Sequence, residues 1–178
     1  DELIGIQETR GDANIIIVTK KGKCICFSEK DVRRMGRIAA GVRAITLDKG
    51  DEVVSMEIAE KSEQLFVATE NGYGKRTPVK EYKVQARGGK GLLTYDKSKF
   101  EKTGNLIGAM VVAEDDEVFL INSDGIIIRI NAGDVSVLGR TTQGVRIMRV
   151  DEDAKIVTMA RAIREEDDEE EENGSEEK

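Results

Sequence analysis

The sequence contains no histidine, no tryptophan, a single proline, Pro78, and two cysteines, Cys24 and Cys26. Aromatic residues make up 4% of its 178 residues. Each scarcity excludes something. Without imidazole, the side chain that most often moves protons near neutral pH is missing, and no serine or cysteine has a histidine base. Two cysteines without histidine cannot supply the four ligands of a structural zinc site. Cys24 and Cys26 are two apart, so in a strand they point to one face, where a strain-free disulfide does not form. They read as small apolar core residues. EF-hand spacing is absent. No apolar run approaches the ~20 residues of a membrane helix. The opening DELIGIQ lacks the basic-then-apolar pattern of a signal peptide. The expectation is a cytoplasmic, non-catalytic chain with no cofactor, no metal and no membrane association.

What is present is charge and glycine. Charged residues are 35% of the chain, and the formal net charge is −7. That figure hides an asymmetry. Residues 165–178, EEDDEEEENGSEEK, hold ten acidic residues and one lysine, net −9. The remainder carries 27 basic and 25 acidic residues, net +2. A slightly basic body therefore precedes an acidic tail expected to be disordered. Eighteen glycines fit short strands joined by tight turns better than helices.

The glycines are periodic. Gly22, Gly72 and Gly125 are equivalent, and nineteen residues after each stands another, Gly41, Gly91 and Gly144. Aliphatic runs at Ile15–Thr19, Leu65–Thr69 and Val118–Ile121 precede turns KKG, ENG and SDG, and KCICF, GKR and IIIRI return. This is hairpin chemistry, with glycine supplying positive φ. Ser28, Thr77 and Asn131 read as caps of one helical turn, with Pro78 at its first position. A third strand follows the second glycine (VRAITL, LLTY, VRIMRV), and DEVVSME, NLIGAMV and AKIVTMA close the units. The opening DELIGIQ matches a closing strand, as though an earlier unit ended there. Four strands at a period of about 50 residues predict an all-β, propeller-like array of four-stranded blades, with a solenoid as the alternative. The repeats span roughly 12–60, 61–113 and 114–163, the folded body 1–164 and the tail 165–178.

Between the helical turn and third strand of the second repeat lies QARGGKG: Gln85, Ala86, Arg87, Gly88, Gly89, Lys90 and Gly91. Its counterparts are MGRIAAG and LGRTTQG, so Arg37, Arg87 and Arg140 are equivalent. A phosphate loop of the Walker type is excluded, because Lys90 is followed by glycine and no strand-to-helix context exists. Glycines beside cations still bring backbone N–H groups and positive charge together, as phosphate contact requires.

Taken in order, NGYGKRTPVKEY, MGR-x-x-x-GVR, GR-x-T-QGVR and the closing strands resemble the C-terminal domain of DNA gyrase A. The resemblance runs from Asp1 to about Ile163. It implies a β-pinwheel that binds and wraps duplex DNA along a basic perimeter, supporting ATP-dependent negative supercoiling by a type IIA topoisomerase. It implies a bacterial A2B2 enzyme completed by DNA gyrase B. The ATP and Mg2+ sites and the strand-cleaving tyrosine of that enzyme lie in other domains. Tyr73, Tyr82 and Tyr95 match repeat positions and read as packing residues. The family's box reads Q-[RK]-R-G-G-[RK]-G, and QARGGKG departs from it at Ala86. The family places the box in its first blade, whereas this stretch lies in the second repeat and is box-like. The corresponding C-terminal domain of topoisomerase IV is similar, and a propeller-like protein-interaction scaffold is the alternative of another class.

The candidate phosphate contacts are Arg33, Arg34, Arg37 and Arg43 in the first repeat. In the second they are Lys75, Arg76, Lys80, Lys83, Arg87 and Lys90, and in the third Arg129, Arg140 and Arg146. Such contacts set affinity without reading bases.

Overall fold

The fold was obtained as a computed structural model, which describes residues 2–59 and 63–162. The acidic run 165–178 lies outside the described residues. Eleven strands form among them: β1 (Asn14–Thr19), β2 (Lys23–Ser28), β3 (Val53–Ile58), β4 (Gln64–Thr69), β5 (Tyr73–Pro78), β6 (Leu92–Leu93), β7 (Leu106–Val112), β8 (Glu117–Asn122), β9 (Ile127–Asn131), β10 (Val145–Arg146) and β11 (Ile156–Arg161). Each repeat opens with an antiparallel hairpin, β1–β2, β4–β5 or β8–β9, and its closing strand pairs back on the first.

The fourth strand of each sheet comes from elsewhere. The sheet orders are β3-β1-β2-β6, β10-β5-β4-β7 and β11-β8-β9. β6 belongs to the second repeat by sequence but pairs with β2 of the first, Cys24 opposite Leu92. β10 belongs to the third repeat but pairs with β5 of the second, Val145 opposite Gly74. The third strand of a repeat therefore completes the preceding blade, a correction to the reading of four consecutive strands per blade. The same rule explains the two ends of the array. Residues 42–47 form no strand, because no preceding blade is present among the described residues. β9 keeps an open edge, because no strand of a following repeat is present among the described residues. Residues 2–8 also form no strand. A closing strand pairs with the first strand of its own blade, and none is described for them.

Alternation along the strands explains the stacking. On β4, Leu65 and Val67 face the first blade, joining Ile16, Val18, Cys24 and Cys26. Phe66 and Ala68 face the third, joining Val118, Leu120 and Ile156. The central blade is thus apolar on both faces. The outer face of the first blade carries a smaller cluster of Ile17, Ile25, Phe27 and Ile45. Closing strands pack on one another, β3 on β7 and β7 on β11, with Ser55 Oγ accepting from Ala109 N at 2.7 Å. They form one edge of the array, and β6 and β10 lie at the opposite edge.

A single 3-10 turn follows each second strand, at Glu29–Asp31, Val79–Glu81 and Ala132–Asp134. Ser28 and Asn131 cap the first and third through their side chains. In the second the cap position is Pro78, and Thr77 instead donates its hydroxyl to Leu138 O at 2.8 Å.

That bond belongs to a strap. Residues 137–147 run across β5: Leu138 N donates to Arg76 O at 2.8 Å, and Ile147 N to Gly72 O at 2.8 Å. Residues 84–94 cross β2 in the same way, with Gln85 N on Cys26 O at 2.8 Å and Thr94 N on Gly22 O at 2.9 Å. Two side chains of β5 donate to the next repeat, Lys75 to the strap and Arg76 to the 3-10 turn before it. Lys75, 0% exposed, donates to Gly139 O at 2.7 Å, Arg140 O at 2.5 Å and Thr142 Oγ1 at 3.2 Å. Its ammonium stands 5.6 Å from the centre of the Tyr95 ring. Arg76, 3% exposed, donates from Nε to Val135 O at 2.7 Å and from Nη2 to Gly133 O at 2.8 Å. The structure therefore removes Lys75 and Arg76 from the candidate phosphate contacts. Carbonyls of the next repeat hold them inside.

Both features generate tests. Burial lowers the Lys75 pKa to about 8, with Arg140 adding to the shift and Glu81 and Asp96 opposing it. Between pH 8 and the ordinary lysine value of 10.5 the unfolded chain binds the extra proton, so stability rises with pH across that window. The expected gain is up to about 3 kcal/mol. It is read as the difference between the parent and Lys75→Met in denaturant titrations at pH 7.5 and 10. Gly91 has φ +69° and a Cβ there would sit 2.5 Å from Cys24 O, whereas Gly41 has φ +77° and open space. Gly41→Ala should cost about 1 kcal/mol for the backbone alone. Gly91→Ala should cost at least about 2 kcal/mol more, because β6 must leave β2.

Candidate nucleic-acid interface

The box edge is built from loops whose shape is set by main-chain pairing. In QARGGKG, Gly88 takes φ +84° and Gly91 φ +69°. The loop reaches back to the first repeat: Gly88 N donates to Ala44 O at 2.8 Å, Thr46 N to Gly89 O at 2.8 Å, and Thr46 Oγ1 to Gly88 O at 2.7 Å. Gly89 passes over Ile25, whose methyl a Cβ would meet at 3.7 Å. The third-repeat counterpart, LGRTTQG, rests on Lys75 in place of Ile25. Asp96 N reaches Thr142 O at 3.4 Å, and Tyr95 OH donates to Gln143 O.

The candidate cations fall into three groups. Arg33, Arg34, Arg37, Arg43, Lys80, Lys83 and Lys90 are exposed, and none stands within salt-bridge distance of a carboxylate among the described residues. Arg129 and Arg146 are exposed but engaged: Arg129 lies 3.6 Å from Glu117, and Arg146 stacks on Tyr73, 5.0 Å from the ring centre, while donating to its hydroxyl at 2.9 Å. Arg87 and Arg140 are half-buried and donate to backbone carbonyls, Arg87 to Asp31 O and Arg43 O, Arg140 to Leu93 O. Lys75 and Arg76 form the buried remainder. The other box residues, Gln85, Ala86, Gly88, Gly89 and Gly91, shape the loop through their backbone.

Ion pairs form mainly elsewhere. Lys20–Glu52 at 3.4 Å, Lys155–Glu70 at 3.5 Å and Arg161–Asp116 at 2.9 Å neutralise cations beside the closing strands. Near the box, Asp48 pairs with Lys23 at 2.7 Å and Lys97 at 3.8 Å. The Lys23 hydrogen bond holds the Asp48 carboxyl below its ordinary range, and Lys97 and Lys90 add to this. Seven exposed candidate cations along the box edge and its adjoining turns are therefore left without ion pairs among the described residues.

The remaining reactive groups are packed away. Burial pushes the Cys24 and Cys26 thiols up, and both lie in the core between blades one and two. Tyr73, Tyr82 and Tyr95 are buried, and burial raises Tyr95 to about 12. Tyr95 stacks on Phe100 at 5.6 Å. The exposed cation Lys102 is not among the candidates. Lys102 stands 5.3 Å from the centre of the Tyr73 ring, on the single helical turn Phe100–Thr103, so it joins the Arg146–Tyr73 cluster. That turn is an insertion in the second repeat, outside the aligned pattern. No helix among the described residues is long and apolar enough to cross a membrane.

Comparison with known proteins places the chain. A family model described as the DNA gyrase C-terminal domain, beta-propeller, matches residues 13–60, 63–113 and 116–162. The DNA gyrase A protein of Staphylococcus epidermidis is 41% identical over 169 residues, 94% of this chain and 19% of the relative. That of Staphylococcus aureus (strain MRSA252) gives the same identity and coverage. A solved DNA gyrase A C-terminal domain superposes with TM-score 0.79 and 32% identity, over 85% of this chain and 51% of that one. The C-terminal domain of DNA topoisomerase IV superposes with TM-score 0.81 and 26% identity, over 86% and 47%. The chain thus spans about a fifth of its curated gyrase relatives and about half of the solved domains. On the repeats, the exchanged strands and these matches together, the chain belongs to the family of DNA gyrase A C-terminal domains.

Proposed function

We propose that this chain binds duplex DNA along its box edge and bends it without reading bases, as part of a wrapping domain that supports negative supercoiling by gyrase. The observation that carries the reading is the segregation of charge. Arg33, Arg34, Arg37, Arg43, Lys80, Lys83 and Lys90 have no carboxylate within salt-bridge distance among the described residues, while Lys20, Lys155 and Arg161 beside the closing strands are paired. Unpaired arginines and lysines along one edge attract a phosphate backbone, and neutralising its phosphates releases counterions from the DNA. Bending a site of 20–30 base pairs costs about 1–6 kcal/mol, so several contacts must act together to offset it. Double-stranded DNA is then the partner, and DNA gyrase B is met through the rest of an A2B2 enzyme. ATP and Mg2+ act in other domains. No strand cleavage is assigned here: the chain's three tyrosines pack in the core, and its thiols are held protonated.

The 41% identity to gyrase A proteins and the near-complete box favour gyrase over topoisomerase IV. The large exposed apolar side chains do not favour a protein-interaction scaffold. Most of them lie where no neighbouring blade is present among the described residues, Leu3 and Ile6 in the opening segment, Ile38 and Leu47 in the unpaired strap, Ile127 and Val157 on the third blade, and Val84, Leu93 and Val137 are spread singly over the two paired straps.

The test is a DNA titration at several salt concentrations. If about six phosphates are neutralised, log K falls with log salt at a slope near −5. Lys90→Gln should lower that slope by about 0.9, equally for unrelated sequences. Absence of binding at low salt, with the full-length protein for control, would overturn the reading.

A further inference from the structure

The box arginines repeat a geometry that phosphate contact does not require. Arg87 donates from Nε to Asp31 O at 3.2 Å and from Nη1 to Arg43 O. Arg140 donates from Nη1 to Leu93 O at 3.4 Å. Arg43 and Leu93 occupy one repeat position, two residues after Gly41 and Gly91. Each box arginine thus reaches along the edge to the third-strand segment of the preceding repeat. The backbone ties run the same way, from Gly88 and Gly89 to Ala44 and Thr46, and from Thr142 to Asp96. Successive boxes are therefore linked end to end. The strap ties a repeat to the preceding blade across its sheet, and the arginine ties it along the edge. Together they hold neighbouring edge segments to one another.

A guanidinium serves this role better than an ammonium. Its planar fork spans two carbonyls at once, as Arg87 spans those of Asp31 and Arg43. Half-burial of Arg87 and Arg140 agrees with such use, whereas Lys90, three residues after Arg87, is exposed to solvent.

We propose that Arg87 and Arg140 are positioning residues. They set the angle between successive box segments, and with it the curvature imposed on DNA, while phosphate contact at this loop falls to Lys90. The inference rests on the DNA-binding reading, and its experiment separates the two.

Three variants of the full chain, Arg87→Gln, Arg87→Lys and Lys90→Gln, are compared by three measurements. The first, without DNA, is hydrogen exchange at the amides of Gly88 and Thr46. The second is the salt slope of DNA binding. The third is the bend of a short end-labelled duplex by energy transfer. Loss of the Arg87 bonds should speed exchange at both amides about tenfold in Arg87→Gln and Arg87→Lys, the change expected for a lost hydrogen bond. The bend should relax in both while the salt slope stays as in the parent. Lys90→Gln should do the reverse, with the slope lowered by about 0.9 and exchange unchanged. Arg87→Lys keeps the charge, so it carries the test if Arg87→Gln fails to fold. Arg140→Lys repeats it at the third box, read at the Asp96 amide. A slope lowered by about 0.9 in Arg87→Gln, restored in Arg87→Lys with exchange unchanged, would make Arg87 a phosphate contact and overturn the inference alone. A parent that binds no DNA overturns the functional reading instead, and unchanged exchange in that case overturns the positioning role of Arg87 as well.

Discussion

The structure depends on one unmet need: the outer edge of each second strand. β2 and β5 are bonded on one side to their hairpin partners, and on the other they expose main-chain donors and acceptors. The next repeat satisfies that edge with β6 or β10 and with the strap leading into it. A blade is therefore incomplete without its successor. Neighbour coupling then carries much of the stability, as in other repeat arrays. The apolar stacking follows from the same constraint. Once β6 lies on β2, Tyr82 and Tyr95 of the second repeat are drawn over Cys24 and Cys26 of the first, and one core spans both.

The exchange also explains why cations sit inside. A strap that turns tightly over a strand presents several carbonyls downward, and they need donors. Under LGRTTQG the donor is Lys75, and beneath residues 133–135 it is Arg76. Charge-assisted bonds, the stronger class of protein hydrogen bond, offset part of the desolvation of these charges, and at Lys75 desolvation still prevails. Under QARGGKG the same place is taken by Ile25, and the glycines bond instead to Ala44 and Thr46. Two solutions to one backbone problem thus stand side by side in a single chain.

Much of this is legible in the residues. The hairpins follow from aliphatic runs around a glycine turn, and Gly22, Gly72 and Gly125 all take the positive φ that the repeat requires. The repeat also marks Gly41, Gly91 and Gly144, which adopt it as well. Strand exchange is not legible. Alternation says that LLTY and VRIMRV are strands, but nothing local says whose edge they join. Sequence reasoning misplaces Lys75 and Arg76 for that reason, since a cation on a hairpin strand faces water unless another repeat covers it. A signal exists nonetheless. Lys75 aligns with Ile25 and Ile128, both apolar, which marks the position as inward. Thr77 reads as a local cap, yet its hydroxyl is taken by Leu138 of the next repeat.

Buried and exposed cations divide the edge unequally. The second box carries Lys90 on its outer side and an apolar floor. The third places Gln143 at the Lys90 position and carries Lys75 as its floor. A similar positive charge thus faces solvent at one loop and backbone at the next. Only the former can meet a phosphate directly. The latter acts through its field, weakened by distance and by the carbonyls it already holds. Repeats with the same backbone need not grip DNA equally. The loops that bind least tightly can still be those that fix the edge's shape, because shape here is held by carbonyls and guanidinium groups, while grip is left to free lysines and arginines.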